Sequence, residues 1–281
     1  MVSEITTLPV AGGAAAARAE SAKFPIGEVL RDITRGGISG ALVGAVVGGL
    51  GARVVMRLVA LLHPNAVGLL TENGNRIGDI TLGGTVLLLV FGLIFGGFAG
   101  ALWVIVSPWI PGRFGVRPVL TAGVAIAVGT PLVIIGRNPD FTILDHDPTA
   151  VALLVALVGS AGLSIALLDS WLDRRLPHAV AARTGPAVFY ATVTALGTVL
   201  VLPIVVLVFL TSDEYQLQLR AGYALLLVGL CTAAWWRLRL RGRESAPRGL
   251  LVTARGALLV AVVLGVLTTL PHLSRALGAR Y

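Results

Sequence analysis

Seven stretches of this chain, each about 17 to 25 residues long and nearly free of charge, have the length a helix needs to cross a hydrocarbon core about 30 Å thick. They run over 37–62, 81–107, 119–136, 149–168, 186–210, 219–236 and 249–270. Backbone inside lipid has no water to bond with, so each run must satisfy its own N–H and C=O groups as a helix. The expected fold is all-α: a polytopic transmembrane bundle of seven helices, with 36–281 as a single transmembrane domain. Of the 281 residues 56% are hydrophobic and 13% charged, and it is their separation into blocks that argues against a large soluble domain.

Two segments precede the bundle. Residues 1–23 are rich in Ala, Ser and Gly and lack an apolar h-region, so a disordered cytoplasmic tail is expected and not a signal peptide. In 24–35, Ile26, Val29, Leu30 and Ile33 share one helical face, while Glu28, Arg31, Asp32 and Arg35 share the other. That pattern predicts a short interfacial amphipathic helix lying along the membrane surface.

The net charge of +8 reports topology and not nucleic-acid binding, because 19 of the 22 basic residues flank the apolar runs or, as Arg220 does, stand at the very edge of one. Fourteen of those 19 fall in the tail and the second, fourth and sixth loops. The N-terminus is therefore expected in the cytoplasm and the C-terminus outside a cell membrane. Trp103, Trp109, Trp171, Trp235 and Trp236 lie at the same inner ends, as an aromatic belt would. The run RLRLRGR after Trp236 suits anionic lipid headgroups of the inner leaflet.

Glycines set the packing. Gly36, Gly40, Gly44 and Gly48 recur every four residues in the first crossing, and Gly92, Gly96 and Gly100 do so in the second. Small residues at that spacing form a smooth stripe, so the first two helices are expected to pack as a close hairpin. The Asn73-Gly74 pair in the outer loop between them predicts a small β-hairpin. The runs GARVVMRLVALLHP, TLGGTVLLLVFGLIFGGFAGALW and NPDFTILD, between residues 36 and 147, resemble a group of bacterial multi-pass membrane proteins with no assigned activity. The resemblance implies a lineage and no chemistry.

All 14 Asp and Glu and all four His fall outside the seven runs, which speaks against a membrane enzyme. Cys231 is the single cysteine, so neither a disulfide nor a thiolate cluster is expected. Asp140, Asp145, His146 and Asp147 read as a solvated acidic loop; no metal and no cofactor are expected. Arg53, Arg57 and Arg255 remain inside the apolar runs. Arg57 and Arg255 are near enough to an end to extend their heads to the interface. Arg53 lies nine residues from Leu62, about 13 Å below the outer end at 1.5 Å per residue. Pro131 and Pro203 free the carbonyls of Ala127 and Val199 at similar depth, which predicts an outer-half pocket between helices one, three and five. Arg53, Arg57, Thr130 and Thr198 are its candidate ligand-binding residues. Two functional readings follow. One is a non-enzymatic scaffold or assembly component with a membrane-protein partner or a second copy; the other is a carrier or channel for an anionic or amphiphilic solute or lipid held by Arg53.

Overall fold

The structure is a computed structural model that describes residues 26–72, 74, 76–112, 115–136, 138–179, 184–211 and 219–279; the expected tail, 1–23, and Asn73 lie outside them. Among these residues seven helices are long and apolar enough to cross a membrane. They are α1 (Ile26–Leu62), α2 (Leu82–Val106), α3 (Val116–Val133), α4 (Pro148–Arg175), α5 (Thr184–Thr211), α6 (Leu219–Leu240) and α7 (Arg248–Ala276). No strand forms among the described residues. In the outer loop an isolated antiparallel bridge, Leu70 to Arg76, stands where a hairpin was expected.

The surface helix expected over 24–35 is not a separate element. Helix α1 runs without a break for 37 residues, about 55 Å, nearly twice the thickness of a hydrocarbon core. A Gly-Gly pair at Gly36 and Gly37 suggests a stop, since each glycine costs a helix about 1 kcal/mol. Tertiary contact overrides that preference, because Gly36 is pressed against Gly100 and Val104 of α2. The amphipathic face is also turned the other way. Arg31 is only 2% exposed and Ile26 is 68% exposed, so the charged side of the helix points into the bundle.

Glycines bring α1 and α2 into backbone contact. A methyl group at Gly40 would collide with the carbonyl of Gly96, and one at Gly44 with that of Gly92; Gly100 meets the Gly36 carbonyl from the other side. The stripe then changes register. Between Gly44 and Leu50 the helix is π-helical, which inserts an extra residue per turn. As a result Gly48 faces open space, and Gly49 takes the next contact, 2.8 Å from the Leu88 carbonyl oxygen to a Cβ built on it. Gly48 is thus removed from the packing stripe that the four-residue spacing implies.

The remaining helices close around this pair. Gly159 and Gly162 of α4 receive Ile126 and Ala125 of α3. The Thr269 hydroxyl of α7, whose shorter acceptor is the Gly265 carbonyl of its own helix at 2.8 Å, lies 3.3 Å from the Ala127 carbonyl of α3, the acceptor that Pro131 sets free. At the other end Trp109, 1% exposed, donates its indole N–H to Thr232 of α6 at 2.8 Å, and Thr232 donates to the Ile105 carbonyl of α2 at 2.6 Å. Trp103 and Trp109 are therefore core residues and not part of a headgroup belt, whereas Trp171 is 47% exposed. Helix α5 is peripheral: 6% of its membrane-length window is buried, against 28% for α2, α3, α4 and α7.

Candidate functional site

The structure does not bring the sequence-predicted ligand residues together. Arg53 lies beside the first turn of α2, where its guanidinium occupies the space a Cβ on Gly84 would need. It makes no hydrogen bond with α3 or α5 among the described residues, and its Nε is buried without a partner. Thr130 is fully buried in α3 with its hydroxyl unpartnered, and the exposed Thr198 donates to its own helix at the Thr194 carbonyl, 2.8 Å away. Arg57 is exposed and donates to the Gly78 carbonyl of the outer loop at 3.3 Å. What surrounds Arg53 and Arg57 is an apolar hollow of about 240 Å³ walled by Val54, Leu58 and Ile80. The pocket expected between helices one, three and five is corrected accordingly. The reason is that the Ala127 carbonyl faces Thr269 of α7 and α5 sits at the rim of the bundle.

A second cavity, of about 340 Å³, opens at the opposite end. Its walls come from the first turns of α1, the end of α2, the start of α3, and the last turns of α4 and α6. One side is an ion-pair network. Arg31 bonds the Asp173 carboxylate at 2.9 Å and the carbonyls of Asp173 and Leu176 at 2.6 and 3.1 Å. Arg35 donates from Nε to Asp169 at 2.6 Å and from Nη1 to Asp173. Glu28 accepts from the Ala179 amide at 2.5 Å and faces His178 at 3.3 Å. Asp169 is itself buried, 5% exposed. Ending the fourth run at 168 left it just outside the apolar stretch, but α4 continues to Arg175 and carries this carboxylate between helices.

The facing wall is short of acceptors. The Arg117 guanidinium stacks on Trp103 at 5.3 Å from the ring centre and donates to the Ser107 carbonyl at 2.5 Å. Its Nε is buried with no partner, and so are the indole N–H of Trp103 and the Nε of Arg31. Arg117 pairs with no carboxylate within ion-pair distance among the described residues. Leaving a buried donor unmatched costs about 1–3 kcal/mol, more when it is charged. All three donors belong to residues that line this one cavity.

Sequence reasoning missed these residues because it assigned Arg31 and Arg35 to a water-facing surface and Asp169 and Asp173 to a loop. A usable signal existed: Arg31 and Arg35 are four apart, as are Asp169 and Asp173, so each pair shares a helical face. The two pairs fall at the same end of the bundle once the threading is known.

Seven apolar helices, five of which wall a polar cavity at one end, define a multi-pass integral membrane protein whose helices meet the lipid bilayer. Comparisons with protein-family models, with curated proteins and with solved structures found no match.

Proposed function

We propose that the protein is a non-enzymatic membrane protein that binds the polar head of an anionic or amphiphilic solute in the cavity beside Arg117. The observation that carries this reading is the set of buried, unmatched donors on Trp103, Arg117 and Arg31 around one opening. Such donors are satisfied by a phosphate or carboxylate, and the planar guanidinium suits its two oxygens. Polar groups inside a bundle, paired or facing a cavity, mark solute paths in membrane proteins. By the Lys and Arg asymmetry this end faces the cytoplasm, which would give the cavity access to solutes and headgroups of the inner leaflet.

Native mass spectrometry of the protein extracted with its lipids tests the reading. A retained phosphate- or carboxylate-bearing molecule is expected in the wild type, lost in Arg117→Ala and kept in Arg57→Ala. Wild-type protein free of any such molecule, and unable to take up added anionic solute, would overturn it.

The scaffold reading has one observation of its own. Val188, Leu196, Val199 and Leu200 of α5 are all more than half exposed, and a Cβ added at Gly197 would meet no atom of another element within 4 Å. Lipid or a second membrane protein covers this face. In-membrane cross-linking from Leu196→Cys in a Cys231→Ala background distinguishes them, since only a protein neighbour gives a discrete adduct.

A further inference from the structure

The donor-rich wall faces a carboxylate that is also underused. Asp32, on α1, has a side chain only 22% exposed; it forms an ion pair with Arg35 Nη2 at 3.6 Å, beyond hydrogen-bond range, and the charges of Arg239 and Arg31 also act on it. It accepts no hydrogen bond among the described residues. The cavity thus combines unmatched N–H donors with a carboxylate whose ion-pair contact is long and which takes no hydrogen bond among the described residues. Its charges balance as well, with four arginines against four carboxylates. A ligand with net negative charge would be favoured by Arg117 and opposed by Asp32, whereas one carrying both charges meets both.

We infer that the cavity takes a zwitterion: a phosphodiester or carboxylate held by Arg117 and Trp103, with a primary ammonium on Asp32. This rests on the ligand-binding reading above and specifies its ligand class. A primary ammonium supplies N–H donors for short charge-assisted bonds to Asp32. A quaternary ammonium supplies none and relies on open aromatic faces. Two of the three tryptophans here already stack with arginine, Trp103 with Arg117 at 5.3 Å and Trp235 with Arg239 at 5.8 Å. The volume of about 340 Å³ is in the range of small-molecule sites, roughly 300–1,000 Å³. Ethanolamine phosphodiester has this chemistry, whether as a lipid headgroup or as the soluble glycerol diester.

The full-length protein in detergent is offered equimolar phosphatidylethanolamine, phosphatidylcholine and phosphatidylglycerol and read by native mass spectrometry; glycerophosphoethanolamine is titrated separately by calorimetry. Expected is at least about tenfold preference for the ethanolamine lipid over both others. Asp32→Asn, which keeps shape and removes charge, should erase that preference and leave phosphate binding in place, while Asp32→Glu restores part of it. Arg117→Ala should lose all three lipids. Binding of the soluble diester would point to a solute as the natural source, and binding of the lipid alone to a headgroup; either supports a zwitterion site. Equal retention of the glycerol and ethanolamine lipids by the wild type overturns the zwitterion and leaves the anion reading standing. Retention of none, with no binding of the soluble diester, overturns both. Melting curves of each variant confirm that it is folded before its binding is read.

Discussion

Arg35 Nε donates to Asp169 Oδ1 at 2.6 Å, and this bond fastens the N-terminal third of α1 to the last turns of α4 across the floor of the charged cavity. Both side chains are largely buried, 16% and 7% exposed. Removing one partner of a buried pair leaves an uncompensated charge and costs about 3–5 kcal/mol. Arg35→Ala and Asp169→Ala should each lower stability in detergent on that scale, whereas Arg35→Met combined with Asp169→Leu should recover most of it. A double-mutant cycle by chemical denaturation checks this, and wild-type stability in Arg35→Ala would remove the fastening role.

The register change in α1 makes a comparison possible between two glycines of the same stripe. Gly44→Leu would drive a side chain into the Gly92 carbonyl and the Gly96 backbone, so the hairpin must separate. Overpacking of this kind costs about 1–3 kcal/mol or more. Gly48→Leu meets no atom within 4 Å of its Cβ and should express and melt like the wild type. Similar losses at both positions would show that the π-helical shift is not present in the membrane.

Thr232 ties α6 to the end of α2 and the turn that follows it, taking the Trp109 indole N–H and donating to the Ile105 carbonyl. Thr232→Val keeps the volume and strands the buried indole donor. The expected cost is about 1–3 kcal/mol. Thr232→Ser, which keeps the hydroxyl, should lose less. Thermal melting monitored by tryptophan fluorescence separates the two, and equal behaviour of Val and Ser would argue against the junction.

Asp147 caps α4 from outside the membrane-length segment, accepting from the Thr149 and Ala150 amides at 3.0 and 3.3 Å. The Thr149 amide is the main cause of a carboxyl pKa below the usual aspartate value. Its stabilisation is therefore present above the unfolded-state pKa of about 3.9 and is lost as pH falls through the lower folded value. Asp147→Ala should cost about 0.5–2 kcal/mol at pH 7. The gap between variant and wild type should narrow below about pH 4, and a pH-independent gap would mean that the cap is not ionic.

Orientation rests on the sequence, chiefly on the Lys and Arg asymmetry. In a Cys231→Ala background, a cysteine at Asn65 should react with an impermeant maleimide in intact cells, and one at Ser245 should react only after permeabilisation. The inverse pattern would turn the protein over and place the charged cavity on the outer face.

Lengths and spacing determined the all-helical bundle and its seven crossings, because a lipid environment leaves each apolar run of that size no other way to satisfy its backbone. The meeting of Gly40 with Gly96 and of Gly44 with Gly92 needed only a four-residue repeat in two successive helices. What no local pattern contained was which way a charged face would turn. The residues Glu28 to Arg35 have the same periodicity whether water or Asp169 and Asp173 satisfy them, and only the approach of α4 to α1 brought those carboxylates within reach. Arg53 failed as a pocket for the same reason. Depth along a helix can be counted from the sequence, but azimuth and neighbour cannot, and of the two carbonyls counted toward Arg53 the one on Ala127 faces Thr269 of α7. Gly48 shows the smallest form of this limit: a π-helical turn, which the four-residue repeat does not encode, moved the packing position to Gly49.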